Sequence, residues 1–227
     1  MVRWKWFKSD AEIKNAARSM IAHAAHAAIQ TRGAFHIVLA GGTTPRAVYQ
    51  TLRDLDTDWA SWHIYYGDER ALPADHPDRN SKMAHDAWLA HVPIPAQQIH
   101  AMPTEQGVEA ACQVYAQMLA GTGEFDLVLL GLGEDGHTAS LFPAHDWGAA
   151  PDAPDVLAIR DAPKPPPERI SLSANRLSRT RWLLFLVTGA GKQEAVARWK
   201  RGEAIAAASI QCVNGIDVLI DAAAWQA

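Results

Sequence analysis

Short, nearly unbroken apolar runs alternate along this chain with longer segments whose apolar residues recur at helical intervals. Ser9-Asp10-Ala11-Glu12 has the spacing of a capping box and opens an alanine-rich segment in which Ile13, Ala17, Met20, Ile21, Ala24 and Ala28 share a face; the spacing predicts a helix ending near Gly33. Residues 34–42, AFHIVLAGG, read as a buried strand that stops at paired glycines. TTPRAVYQTL then begins with a Thr cap and places Pro45 in the first turn, the chemistry of a helix start. The rhythm continues with HIYYGDE as a strand, SKMAHDAWLAHV as a helix, a short strand at Ile99 and a helix from Glu105 to Leu119. FDLVLLGLG is the most apolar strand, RWLLFLVTGAG leads as a strand into the helix GKQEAVARWK, and DVLIDAAA closes the chain as a last strand.

Apolar strands alternating with amphipathic helices predict an α/β fold, a mostly parallel sheet with helices on both faces. One domain is expected over residues 1–227. Ligands of such folds bind beyond the carboxyl ends of the strands, so the turns at Gly41, Gly67, Gly131 and Gly189 are the places to look. Pro143 to Glu168 breaks the rhythm: seven prolines fall between Pro143 and Pro167, predicting a long surface excursion of the kind that is functional or mobile.

Composition narrows the function classes. Apolar residues make up 48% and charged residues 20%, and the formal net charge is −4, so no general field draws in nucleic acid or an anionic membrane. Cys112 and Cys212 form no C-x-x-C pair and neighbour no histidine cluster, so neither a metal site nor a disulfide is expected and both are expected to be buried free thiols. The first ten residues contain no apolar leader-like stretch and no run reaches 18 apolar residues, from which a cytoplasmic protein is expected. The nine tryptophans are scattered, which suits core packing.

Four turns carry candidate chemistry. Gly41-Gly42-Thr43-Thr44, between a strand and a helix, suits an anion cradle of backbone N–H groups, helix dipole and two hydroxyls. Gly67-Asp68-Glu69-Arg70 gathers charges at another strand end. Gly131-x-Gly133-x-x-Gly136 matches the dinucleotide fingerprint, but the helix and distal acid that fingerprint requires are replaced by the proline-rich segment. What remains there is Asp135-Gly136-His137, an acid and an imidazole on a glycine turn, suited to a general base, with Thr138, Ala139 and Ser140 able to begin a helix. Gly189-Ala190-Gly191-Lys192 fails as a P-loop because Leu186 and Gln193 stand where Gly and Ser or Thr are needed; Lys192 still offers a point charge for a phosphate. The stiff stretch Pro163 to Pro167 leads into a short strand through Arg169 and fixes where that Arg lies.

Together, LAGGTTPRAVYQTL, YYGDERALPADHPDRNSKMAH, FDLVLLGLGEDGHTASLFP, PKPPPERISLS and FLVTGAGKQEAV resemble, in order and spacing, the motifs of 6-phosphogluconolactonases over nearly the whole chain. The resemblance implies a modified Rossmann-like sheet and hydrolysis of 6-phospho-D-glucono-1,5-lactone in the oxidative pentose phosphate pathway, with no metal or organic cofactor. It implies His137 as general base oriented by Asp135, and Gly41, Gly42, Thr43, Thr44, Asp68, Arg70, Arg169 and Lys192 as ligands of the phosphate and sugar. The only partner implied is a sugar phosphate lactone, in a monomer or homodimer. The wider superfamily includes glucosamine-6-phosphate deaminases, in which a Glu precedes the proline after the D-G-H turn; here Phe142 precedes Pro143, which favours hydrolysis over deamination. The alternatives are a deaminase or isomerase, and a non-catalytic sensor of sugar phosphates.

Overall fold

The computed structural model describes residues Met1–Trp225. In chain order the elements are β1 (Val2–Phe7), α1 (Asp10–Arg32), β2 (Phe35–Leu39), α2 (Thr43–Gln50), β3 (Trp62–Tyr66), β4 (Asp68–Arg70), α3 (Asn80–Ala87), α4 (Val108–Leu119) and β5 (Phe125–Gly131). There follow β6 (Val156–Ile159), β7 (Arg169–Leu172), α5 (Ala174–Ser178), β8 (Thr180–Val187), α6 (Gln193–Lys200), α7 (Ala206–Ser209) and β9 (Ile216–Asp221).

Six strands form one parallel sheet in the order β1-β9-β8-β5-β2-β3. Side chains of a strand point alternately to its two faces, and in β5 every residue from Phe125 to Leu130 is buried. Both faces are therefore covered, as the continuous apolar pattern requires. The chain runs from β2 outward to β3, then returns to place β5 on the other side of β2. That reversal opens a crevice between β2 and β5 at their carboxyl ends. A second, antiparallel sheet, β4-β7-β6, caps this end.

Local chemistry explains most boundaries. The Ser9 hydroxyl accepts from the Glu12 N–H and the Lys8 N–H donates to Glu12, so both sides of the α1 entry are satisfied. The helix ends at Gly33, whose φ of 79° is the left-handed cap conformation. Aromatic side chains fill the β2–β3 flank, where Trp62 packs on Phe35 and Trp88 on Tyr49 at centroid distances of 4.7 and 5.8 Å.

Several expectations need correction. β1 was not expected; it alternates Val2, Trp4 and Trp6 with Arg3, Lys5 and Phe7, and as an edge strand it tolerates charges that mask the apolar signal. The expected HIYYGDE strand divides, because the chain leaves the main sheet at Gly67 and Asp68–Arg70 joins the small one. The helix expected from Glu105 begins at Val108, since Gly107 at φ 89° interrupts it after a short 3-10 turn. Ile99 makes only a single bridge to Ile64. No side chain caps α2: Gly42, not a Thr, holds the cap position. Thr138 to Ser140 starts no helix; Thr138 bridges Leu141 across a tight turn with Ala139 at φ 47°. Cys112 and Cys212 are free but only partly buried.

Candidate active site

A cleft of about 340 Å³ opens at the carboxyl ends of β2, β3, β5 and β8. Gly41, Gly42, Asp68, Arg70, His137, Arg169 and Lys192 all line it, as do Asn80 and Lys164.

The turn after β5 is built around one imidazole. His137 Nδ1 lies 2.5 Å from Asp135 Oδ1, and the same oxygen accepts the His137 backbone N–H at 3.1 Å. A carboxylate can only accept, so Nδ1 carries the proton and Nε2 is left with its lone pair. Burial lowers the His137 pKa from its ordinary value; the Asp135 charge and hydrogen bond oppose this without reversing it, and Lys164 adds to the lowering. The ring is therefore neutral near pH 7, the form a base requires. Burial works to raise the Asp135 pKa, but the His137 N–H and charge outweigh it and hold the carboxyl below its usual range.

The glycines of this turn have assignable tasks. A Cβ at Gly133 would lie 2.0 Å from His137 Nδ1, so this glycine makes room for the imidazole. Gly136 combines a φ of 89° with a position where a Cβ would meet Ile205 at 2.9 Å. The dinucleotide-like spacing is thus explained by packing around His137 rather than by a pyrophosphate. From outside, Arg198 donates to the Asp135 carbonyl at 3.0 Å and Ala207 N–H to that of Gly136 at 3.2 Å.

The small sheet presents cations to the same cleft. Arg70 on β4 and Arg169 on β7 are direct cross-strand partners, an arrangement that costs stability unless an anion joins them. Among the described residues, no carboxylate forms an ion pair with Arg70, Lys164, Arg169 or Lys192. Arg169 uses Nε and Nη2 to hold the carbonyls of Pro166, Lys164 and Pro165 at 3.0, 2.9 and 3.1 Å, so it fixes the segment that carries Lys164. Arg70 donates to the Asp78 carbonyl, and its buried Nε has no hydrogen-bond partner. Burial lowers the Lys192 pKa; Glu134 opposes this and Lys164 adds to it.

The two acids of the Asp68-Glu69 pair separate in role. Asp68 lines the cleft, with one carboxylate oxygen accepting from Asn80 at 3.0 Å and the other from Ser140 at 2.6 Å. Glu69 is fully buried; it accepts the N–H groups of Arg70, Asn80 and Ser81 at 2.9, 2.8 and 2.8 Å and lies 3.3 Å from Arg79 Nε. It caps α3 from a distant strand and thereby holds Asn80, which the absent side chain of Gly41 accommodates: a Cβ there would sit 2.1 Å from Asn80 Oδ1.

Three residues expected at the site are not among those lining the cleft. Thr43 and Thr44 do not line the cleft; they line a separate hollow of about 170 Å³, where Thr44 Oγ1 bonds Thr188 Oγ1 at 2.6 Å. Asp135 acts behind His137 and does not itself line the cleft. Lys164 and Asn80 escaped the sequence reading. A lysine set among prolines was a usable signal for the first; nothing local marked the second.

Fold and cleft define a class: an α/β protein whose strand ends hold a carboxylate-oriented imidazole in one cleft with cations that, among the described residues, form no ion pair. The chain matches the family of glucosamine-6-phosphate isomerases/6-phosphogluconolactonase over residues 8–220 and belongs to it. It is 38% identical over 208 residues to the 6-phosphogluconolactonase of Mycobacterium leprae, covering 84% of this chain and 83% of that one. Among solved structures it resembles the 6-phosphogluconolactonase of Trypanosoma brucei, at 26% identity and a TM-score of 0.87 over 98% of this chain and 97% of that one. The 6-phosphogluconolactonase of Thermotoga maritima, 22% identical, shares the fold with a TM-score of 0.91 over 97% of this chain and all of that one.

Proposed function

We propose that this chain, acting as one domain over residues 1–227, hydrolyses 6-phospho-D-glucono-1,5-lactone to 6-phospho-D-gluconate, the second step of the oxidative pentose phosphate pathway. The observation that carries the reading is His137, tied to Asp135 at 2.5 Å, in a cleft with four cations that form no ion pair among the described residues. The similarity to the Mycobacterium leprae enzyme supports the same substrate.

In this reading Arg70, Arg169, Lys164 and Lys192 hold the phosphate, and Asp68 accepts a sugar hydroxyl. Nε2 of His137 takes a proton from a water as that water attacks the lactone carbonyl. The resulting imidazolium is stabilised by Asp135. The tetrahedral intermediate then collapses, the ring C–O bond breaks, and the departing oxygen takes the proton back from His137. A positioned base contributes roughly 10²- to 10⁴-fold, and phosphate binding far from the reacting carbon supplies orientation. The cleft lining described comes from one chain, and the protein is taken to act as a monomer or a homodimer. The free thiols Cys112 and Cys212 suit the reducing cytoplasm. Among the described residues no helix is long and apolar enough to cross a membrane.

The residue beside the base favours hydrolysis over a deaminase relay. Phe142, with its ring centroid 4.8 Å from that of His137, has no proton to exchange. The test generates the lactone in situ with a glucose-6-phosphate dehydrogenase and follows its hydrolysis above the spontaneous rate, with glucosamine 6-phosphate run in parallel. Rapid lactone hydrolysis with no release of ammonia is expected; ammonia release without lactone hydrolysis overturns the assignment.

A further inference from the structure

We propose that Phe142 is a positioning residue, an aromatic wall that holds the His137 imidazole and the Arg169 guanidinium in fixed relation to each other. The inference rests on the reading of His137 as base and Arg169 as phosphate ligand given above.

The ring touches both groups. Its centroid is 4.8 Å from the imidazole, tilted by 45°, and the Arg169 guanidinium carbon lies over it at 5.5 Å. It is 1% exposed, yet it belongs to a small apolar cluster with Ile159 and Ala162, backed by Leu157, apart from the main core. That cluster is built from β6 and the excursion, so the wall is supported by the segment that also carries Lys164. The main chain is pinned too, because Trp147 Nε1 donates to the Phe142 carbonyl at 2.7 Å.

Two consequences follow from this placement. One side of the imidazole faces hydrocarbon instead of water, which disfavours the imidazolium and keeps Nε2 free. The other consequence concerns Arg169. A guanidinium over an aromatic face is attracted by the ring quadrupole, and Arg169 in turn holds the carbonyls of residues 164–166. A single ring therefore sets the distance between the base and the cations at the phosphate end. For a substrate whose carbonyl and phosphate are separated by a fixed carbon skeleton, that distance decides whether both ends are engaged at once.

The experiment compares wild type with Phe142→Leu, Phe142→Met and Phe142→Tyr. The first two remove the aromatic face and, being narrower, leave part of the imidazole open to water; the third retains the ring. The His137 imidazole is titrated by NMR in the absence of substrate, the Kd of inorganic phosphate is measured by calorimetry, and kcat and KM for the lactone are followed with pH. Loss of the ring should raise the His137 pKa by about 0.5 pH unit or more and weaken phosphate binding about threefold or more. The acid limb of kcat/KM should move with the imidazole, and Phe142→Tyr should recover both properties. If Phe142→Leu and Phe142→Met lose thermal stability while the imidazole titration and phosphate Kd stay at wild-type values, the ring is core packing alone and the proposal fails. Should any variant not fold, the remaining ones carry the same comparison. The titration and phosphate arms need no lactonase activity, so an inactive wild type would overturn the proposed function while leaving this inference to be judged on its own readouts.

Discussion

Replacing Gly133 by alanine isolates the link between the turn and its chemistry. The added Cβ would stand 2.0 Å from His137 Nδ1, 2.2 Å from Cε1 and 2.6 Å from Cγ. Three ring atoms are obstructed, so the clash is with the body of the imidazole. To regain an ordinary contact of 3.4 Å, Nδ1 must retreat by about 1.4 Å, and the ring then cannot keep its 2.5 Å bond to Asp135. A displacement of about 1 Å costs roughly 10²-fold where a reacting group must be aligned, and full loss of a base costs roughly 10²- to 10⁴-fold. Gly133→Ala should therefore lower kcat about 10²-fold or more, measured by coupled lactone hydrolysis corrected for the spontaneous rate. Its φ does not lie in the left-handed region, so the backbone accepts alanine, and the phosphate cations are untouched. KM should change by less than about threefold. Wild-type kcat in Gly133→Ala would refute the argument that this glycine exists to seat the imidazole.

Three further expectations come from the same geometry. Glu69→Ala strands the Asn80 and Ser81 N–H groups and deprives the buried Arg79 of a partner, so urea unfolding should show a loss of about 3 kcal/mol; a loss under about 1 kcal/mol would contradict the capping role. Lys164→Ala removes one of the unpaired cations of the cleft and should lower kcat/KM about tenfold, mostly through KM; an unchanged KM would take Lys164 out of the phosphate site. Burial lowers the His137 pKa, so kcat/KM should be flat at neutral pH and fall on the acid side, with an inflection below the ordinary value of about 6.5. A group whose folded pKa lies below its unfolded one stabilises the fold fully above the unfolded value and loses that contribution as pH falls through the folded value. Stability should then decline over the same acid range, and an inflection above 6.5 would contradict the buried, neutral base.

The parts legible in the sequence are those governed by local pattern. The continuous apolar runs of β2, β5 and β8 announced a sheet covered on both faces, and the Ser9 box and Gly33 fixed both ends of α1. The D-G-H turn was legible because its residues act on one another within three positions. Properties set by distant contacts were not. Glu69 caps a helix eleven residues further on, as its bond to Asn80 spans that separation, and Arg70 faces Arg169 across a pairing of β4 with β7, strands far apart in sequence. The placement of the two threonines after Gly42 was likewise not legible. Their type and position suited an anion cradle, but α2 turns them into a different hollow beside Thr188. β1 is short and its apolar residues alternate with Arg3 and Lys5, so it lacks the continuous apolar run of the inner strands, and only its pairing with β9 places it in the sheet.

The central claim is that His137 is the base of a lactone hydrolase. Its most direct measurement is the rate of 6-phospho-D-glucono-1,5-lactone hydrolysis by wild type and by His137→Ala at matched, saturating substrate. The account predicts a loss of roughly 10²- to 10⁴-fold, with the affinity for inorganic phosphate preserved because Arg70, Lys164, Arg169 and Lys192 remain in place. Hydrolysis by His137→Ala at the wild-type rate would contradict it.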